Sequence, residues 1–244
     1  MPPNPTVLAF DTSAAHCAAA LLLDGKIVAS RYEEMKRGQA EALMPMLEAV
    51  LGEVGAVWEE LDAVGVGVGP GNFTGIRIGV SAARGLALGL RIPAVGVSGF
   101  EAVAARYAPG RDHVIASLPA PRDTVYVQSV KQGRTFGDAR QGPPGDFGPE
   151  DFPDFRGLVV GELADAIAFS ITLPDAQKPD DPYHREPQTF DTSERADLLF
   201  TAEDVAFVAE KIRASQTDIP RPAPLYVRAA DAAPASDPPP VILP

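Results

Sequence analysis

The sequence predicts an α/β chain with a mixed sheet and helices on its faces. Three observations carry this expectation. The chain opens with three short apolar runs, an amphipathic helical stretch follows, and strand-like and helix-like segments then alternate. An antiparallel opening followed by alternating units gives a sheet with both parallel and antiparallel neighbours.

The elements follow in order. Thr6 to Phe10 reads as a buried strand, Cys17 to Leu23 as a second and Ile27 to Tyr32 as a third. Asp24-Gly25 lies between the last two and favours the positive φ angles of a tight hairpin. Ala40, Leu43, Met44, Leu47, Val50 and Leu51 mark one apolar helix face. Pro45 interrupts it, which predicts a kink or a late start. Ala63 to Val68 reads as a strand, Thr74 to Leu90 as a helix ending before Pro93, Ala94 to Val97 as a strand and Ser98 to Tyr107 as a helix.

The second half gives weaker signals. His113 to Ser117, Thr124 to Val130 and Gly157 to Gly161 read as strands, and Gln132-Gly133 as a turn into another. Gly142 to Pro153 reads as a loop, Pro174 to Pro187 as surface chain, Ala202 to Ala214 as a helix and Asp231 to Pro244 as a loose tail. No internal repeat is visible. The element order matches one lobe of the actin-like ATPase fold, built on a ribonuclease-H-like core. The expected division is residues 1–103 as the first lobe, 104–228 as a smaller, degenerate second lobe and 229–244 as a tail.

Composition narrows the function. The formal net charge of −12 repels phosphate backbones, so strong direct tRNA binding is not expected. The single cysteine, Cys17, forms no internal disulfide, which suits a reducing cytoplasm. The N-terminus shows no secretory signal pattern. The segment Ile76 to Leu90 carries two arginines and is too short to span a bilayer, so no membrane association is expected.

The most informative segment runs from Gly67 through Gly69-Pro70-Gly71-Asn72-Phe73-Thr74-Gly75 to Gly89. A glycine loop between a strand and a helix start can present backbone N–H groups to an anion, and Asn72 or Thr74 can cap the helix. The competing reading is a tight turn without a ligand. The segment is no Walker loop, because no Gly-Lys-Ser/Thr follows, and its spacing does not fit the dinucleotide fingerprint. Four glycines, Gly75, Gly79, Gly85 and Gly89, lie inside the helix, each costing about 1 kcal/mol relative to alanine. Their i, i+4 pairing invites close approach of another backbone, either the chain's own sheet or a partner's helix.

These residues carry a resemblance. Gly-Pro-Gly-Asn-Phe-Thr-Gly-Ile-Arg-Ile-Gly (69–79), with Ala83-Arg84-Gly85-Leu86-Ala87-Leu88-Gly89 and Ile92-Pro93, resembles the signature of the TsaB family, also called YeaZ. Leu8-Ala9-Phe10-Asp11-Thr12-Ser13, Leu43-Met44-Pro45-Met46 and Pro224-Leu225-Tyr226-Val227-Arg228 are similar to further family motifs. The likeness is dense over about the first hundred residues and thin beyond.

The resemblance implies an actin-like fold with a degenerate second lobe. It implies a non-catalytic scaffold or activator of the machinery that makes threonylcarbamoyladenosine beside the tRNA anticodon. The implied partners are a TsaD-type transferase, of which the family is an inactive paralogue, and a TsaE-type ATPase, with a homodimer when the chain is alone. Pairing would use the helices at Glu41 to Leu51 and Thr74 to Leu90, which puts Leu43, Met46, Leu47, Gly75, Gly79, Ala82 and Ala83 at the partner interface. Asp11 matches an acidic position near the nucleotide-bound metal of active relatives. With Gly69, Gly71 and Asn72 it is the expected nucleotide or anion contact, and a structural role for Asp11 in capping the loop through Thr12 and Ser13 stands beside that. No cofactor of its own is expected, with ATP or ADP at the partner junction.

In the transferase, a His-x-x-x-His pair after the Ile/Val-Pro strand binds the metal. Here those positions are Gly99 and Val103, so no metal and no catalytic residues are expected. His16, His113 and His184 are isolated in the sequence, and a lone histidine reads as structural or solvated. The chain also departs from the family. Gln39 stands where a histidine is usual, and Pro119, Pro121 and Thr124 replace an acid, an arginine and a glutamate. Two other functions remain open at this level: an actin-fold ATPase or kinase-like enzyme acting alone, and a homodimeric protein with a different client. A serine-protease reading has no nucleophile-elbow motif to support it.

Overall fold

The computed structural model describes residues 5–153, 155, 157–172, 188–191, 200–216 and 218–227, with the backbone alone at 188–191. The expectations for Pro174 to Pro187 and for the 229–244 tail fall outside these residues.

The first sheet comprises β1 (Val7–Asp11), β2 (His16–Leu23), β3 (Lys26–Glu34), β4 (Ala63–Gly67) and β5 (Ala94–Val97), in the order β3-β2-β1-β4-β5. The first three strands form the antiparallel meander expected from the apolar runs, and β4 and β5 add in parallel. Asp24 and Gly25 both have positive φ, as a tight right-twisting hairpin requires. Every residue of β1 and β4 is buried, because helices cover both faces of the sheet.

On one face lie α1 (Gln39–Val54) and α2 (Phe73–Leu90). Leu43, Leu47, Val50, Ile76 and Val80 pack there against Leu8, Phe10, Val64 and Val66. Helix α1 starts at Gln39, six residues before Pro45, so the late start expected from Pro45 does not occur. Pro45 has no N–H for the carbonyl of Glu41, but both residues are exposed and water can serve that carbonyl. On the other face, Val205, Ala209 and Ile212 of α5 (Ala202–Ser215) meet Val7, Ala9, Val95 and Val97. The late part of the chain thus returns to the first sheet.

The second sheet comprises β6 (His113–Ala120), β7 (Thr124–Lys131), β8 (Arg134–Gly142), β9 (Leu158–Gly161) and β10 (Gln188–Asp191), in the order β10-β9-β6-β7-β8. Counted within its own half, this is the same order and the same pattern of parallel and antiparallel neighbours as the first sheet. The fold therefore repeats where the sequence shows no repeat.

Helix α3 (Gly99–Tyr107) lies between the sheets. Ala102 joins the core beneath the first, and Phe100, Val103 and Ala104 join the core of the second. Helix α4 (Ala164–Thr172), which the sequence reading did not anticipate, covers the outer face with Ile167, Ala168 and Ile171. Where the first half has α1, the second has two 3-10 turns, Pro144–Asp146 and Pro149–Asp151, and buried Phe147 between them. Proline and glycine in this segment oppose a longer helix. The result is the expected α/β architecture with two mixed sheets, and α5, which lies within the stretch expected to form the second lobe, packs on the first sheet. Among the described residues, no helix is long and apolar enough to cross a membrane.

Candidate functional site

The expected nucleotide or anion residues come together at the ends of β1 and β4. Asp11 is fully buried, and its Oδ1 accepts from Ser13 N at 3.0 Å, Ser13 Oγ at 2.9 Å and His16 Nε2 at 2.8 Å. Its Oδ2 has no hydrogen-bond partner among the described residues and occupies the space where a side chain at Gly67 would begin. The next loop docks on the start of α2: Asn72 N donates to the Ser13 carbonyl at 2.6 Å, and Thr12 Oγ1 donates to the Gly75 carbonyl at 2.7 Å. Asn72 Oδ1 caps α2 by accepting from Gly75 N at 2.9 Å. The Gly69 carbonyl accepts from Gly99 N at 2.8 Å.

Much of the hydrogen bonding here is thus among the loops themselves, while Asp11 Oδ2 stays without a partner among the described residues. Asn72 and Gly75 give their N–H groups to protein acceptors, so those two are not free to receive an anion. The capping role is the one the geometry displays for Asp11, through Ser13 rather than Thr12. His16 is equally structural, with its ring 5.3 Å from that of Tyr32.

The same packing divides the helix glycines. A β-carbon on Gly75 would collide with the Thr12 carbonyl, and one on Gly79 would lie 2.8 Å from Thr12 Oγ1. Gly75 and Gly79 serve the chain's own sheet and loop. Gly85 and Gly89 face open space.

The expected interface residues need a corresponding correction. Leu43, Met46 and Leu47 are buried against the first sheet, and Gly75, Gly79 and Ala83 lie on the inward face of α2. Only Ala82 is half-exposed. The free surface of the same two helices is a groove of about 510 Å³, lined by Ala40, Leu43 and Met44 of α1 and by Phe73, Arg77, Ile78 and Ala82 of α2. Its lining is mostly apolar, and Met44 and Phe73 are exposed.

Sequence reasoning missed the cluster at one end of this groove. The segment before residue 227 runs as a strap along the first lobe. Leu225 N donates to the Val68 carbonyl at 2.8 Å, and Pro222 covers Gly96. The strap carries Tyr226 to α2, where Arg77 Nε donates to Tyr226 Oη at 2.9 Å. The Arg77 guanidinium sits 3.7 Å from the centre of the Phe73 ring, and the Phe73 and Tyr226 rings are 5.1 Å apart. The only sequence signal was the closing motif around Tyr226, which gives no clue to its contact.

Positions 99 and 103 are both inside the protein. A side chain at Gly99 would crowd Leu118 and Phe200, and Val103 is fully buried. Among the described residues, no cluster of three or more histidine, cysteine or acidic side chains is placed to hold a metal. Burial, with Glu33 and Asp11 nearby, pushes the Cys17 thiol up to about 11. The altered segment Leu118 to Tyr126 forms the β6–β7 hairpin, turning through Arg122 and Asp123 with positive φ.

The family model for TsaD, tRNA N6-adenosine threonylcarbamoyltransferase, matches residues 26–147. The tRNA threonylcarbamoyladenosine biosynthesis protein TsaB of Escherichia coli is 37% identical over 49% of this chain and 52% of that protein. The protein of the same name from Haemophilus influenzae is 34% identical over 55% of this chain and 58% of its own length. The chain thus spans about half the length of the curated relatives it matches. Among solved structures, YeaZ from Pseudomonas aeruginosa is 30% identical, with a TM-score of 0.63 over 86% of this chain and 92% of that one. An uncharacterized protein with similarity to peptidase YEAZ, also from Pseudomonas aeruginosa, is 30% identical, with a TM-score of 0.66 over 92% of this chain and 100% of that one.

Proposed function

The chain belongs to the TsaB (YeaZ) family, and we propose that it is a non-catalytic scaffold subunit in tRNA threonylcarbamoyladenosine biosynthesis. It pairs with a TsaD-type transferase and works with a TsaE-type ATPase in the cytoplasm, and it pairs with itself when alone. The observation that carries this reading is the state of positions 99 and 103. Where the resemblance puts the transferase's metal-binding histidines, this chain has a glycine pressed against Leu118 and Phe200 and a buried valine. Neither residue can donate to a metal.

The apolar groove between α1 and α2 supports the pairing. A mostly apolar surface flanked by polar residues is what a partner helix covers. Because the donors around Asp11 and Asn72 serve the chain's own loops, ATP or ADP, where it takes part, lies at the junction with the partner.

The test is a threonylcarbamoyl transfer assay with the two partner subunits, with and without this chain. Transfer should fall to background when the chain is left out. Undiminished transfer would sink the proposal. ATP turnover by the purified chain that disappears in Asp11→Ala would replace it with an actin-fold ATPase or kinase acting alone.

A further inference from the structure

The arginine at the rim of the groove is held in an unusual way for an exposed side chain. Arg77 is exposed on the first turns of α2, where a long flexible side chain normally moves freely and loses entropy when fixed. Here it is fixed from two directions. Phe73, one turn earlier, lies beneath the guanidinium, and Tyr226, 149 residues later in the chain, accepts from Nε. Tyr226 is placed by the strap, which is itself anchored through Leu225 to Val68 and to the hydrophobic cores.

The use of Nε leaves both Nη groups without a hydrogen bond among the described residues, and no carboxylate of those residues pairs with Arg77. A guanidinium presented in this way keeps a planar edge for two-pronged binding of a carboxylate. A fixed guanidinium edge beside an apolar groove, without a carboxylate partner among the described residues, is complementary to an acid on an incoming surface.

We propose that Tyr226 is a positioning residue that holds Arg77 over Phe73, at the rim of the α1/α2 groove, to receive an aspartate or glutamate from the transferase-type partner. This rests on the pairing proposed above. The occupant is a helix with an apolar face for the groove and one carboxylate at the level of Arg77. The strap thereby belongs to the partner surface without needing to touch the partner, and it sets affinity through the arginine it holds.

The experiment measures the dissociation constant of the full chain with the purified transferase-type subunit at low and moderate salt. Arg77→Ala should weaken binding about 10-fold and flatten the salt dependence. Tyr226→Phe keeps the ring and removes the acceptor, and should weaken binding about 3- to 10-fold with an unchanged urea melt. In the Arg77→Ala background, Tyr226→Phe should have no further effect, because the tyrosine acts through the arginine. Arg77→Lys should not restore the affinity.

Equal losses from Tyr226→Phe with and without Arg77, or no loss with either residue changed, would overturn the inference and leave the pairing intact. Losses confined to self-association would also overturn it, by giving the carboxylate to a second copy of the chain. Failure of the wild-type chain to bind the transferase-type subunit would overturn the pairing itself.

Discussion

The two sheets share one strand order and differ at one equivalent position. In the first sheet, Asp11 lies one residue beyond the Phe10–Val66 pair, level with Gly67, and in the second, Ser117 pairs with Gly161. Each glycine is needed because its β-carbon space is taken, by Asp11 Oδ2 in one case and by the Ser117 carbonyl in the other. The residues after each position have different tasks. A buried carboxylate must collect donors, so β1 ends and the chain turns to bring up Ser13 and His16. That loop then docks on α2. Ser117 Oγ is satisfied by the carbonyls of Val160 and Glu162, at 3.2 and 2.6 Å, and demands nothing of the next residues. Strand β6 accordingly runs on to Ala120 as a plain hairpin with β7. One buried carboxyl group separates a lobe whose loop is bolted to a helix from a lobe whose strand runs on into a hairpin.

The largest break in this comparison comes at the bolt. Gly75→Ala places a β-carbon against the Thr12 carbonyl, with backbone on both sides and little room to relax. The expected loss is about 3 kcal/mol or more, read as a lower urea midpoint. An alanine tolerated at 75 would mean that the 11–13 loop is not fixed to the helix.

Next in size is the contrast between the two equivalent positions. Asp11→Ala strands Ser13 N, Ser13 Oγ and His16 Nε2 in a buried site and should cost about 2 to 3 kcal/mol. Ser117→Ala removes a hydroxyl whose two carbonyl acceptors belong to the local backbone, and should cost about 1 kcal/mol. Equal losses from paired urea melts would dissolve the distinction between the lobes.

Much of this was legible in the sequence. The three opening strands and the Asp24-Gly25 hairpin came from apolar runs and turn chemistry, and the glycine segment marked where the first lobe is tightest. The free face of α1 and α2 was not legible. Helical periodicity puts Ala40, Leu43, Met44, Leu47, Val50 and Leu51 on one face, and the core claims Leu43, Leu47, Val50 and Leu51. Ala40 and Met44, from the same predicted face, stay exposed at the groove, and only packing against the sheet decides which side stays open. The partner of Gly75 and Gly79 is Thr12, more than 60 positions away, and Arg77 meets Tyr226 from still farther. Helix α4 buries Ala164, Ile167, Ala168 and Ile171 at helical spacing, but Ala166 and Phe169 on its exposed face are apolar too, so the sequence shows no clear amphipathic period. The repeat of topology leaves no mark in the sequence because strand order depends on pattern, and the two halves reach it with different residues.

A smaller effect, of opposite sign, tests the far end of α2. Gly85 lies in the helix interior with open space where a β-carbon would go. Gly85→Ala should therefore stabilise the chain by about 0.5 to 1 kcal/mol. A gain in the urea midpoint with unchanged affinity for the transferase-type subunit would keep Gly85 outside the partner surface. A gain with weaker binding would extend that surface along the helix, away from the bolted end.

The smallest effect belongs to the second lobe and is read through pH. His113 opens β6, with Nε2 3.3 Å from Ser129 Oγ and its ring edge-on to Phe155 at 4.9 Å. Burial first, and then the Lys131 charge, hold its pKa below the ordinary 6.5. The native state therefore binds this proton less readily than the unfolded chain does. By linkage, the contribution to stability is complete above pH 6.5 and is lost as the pH falls through that value toward the lowered one. Carboxylates titrate in the same range, so the quantity to read is the difference between wild type and His113→Asn at pH 7.5 and at pH 5. Wild type should lose stability relative to the variant on acidification. The chain's single tryptophan, Trp58, packs on the first-lobe core, whereas circular dichroism reports on both sheets. If the lobes unfold as one unit, both signals should carry the same small shift. If the second lobe melts by itself, the shift should appear in the dichroism and not in Trp58 fluorescence. The loop bolted beneath Asp11 would then protect only the sheet that contains it.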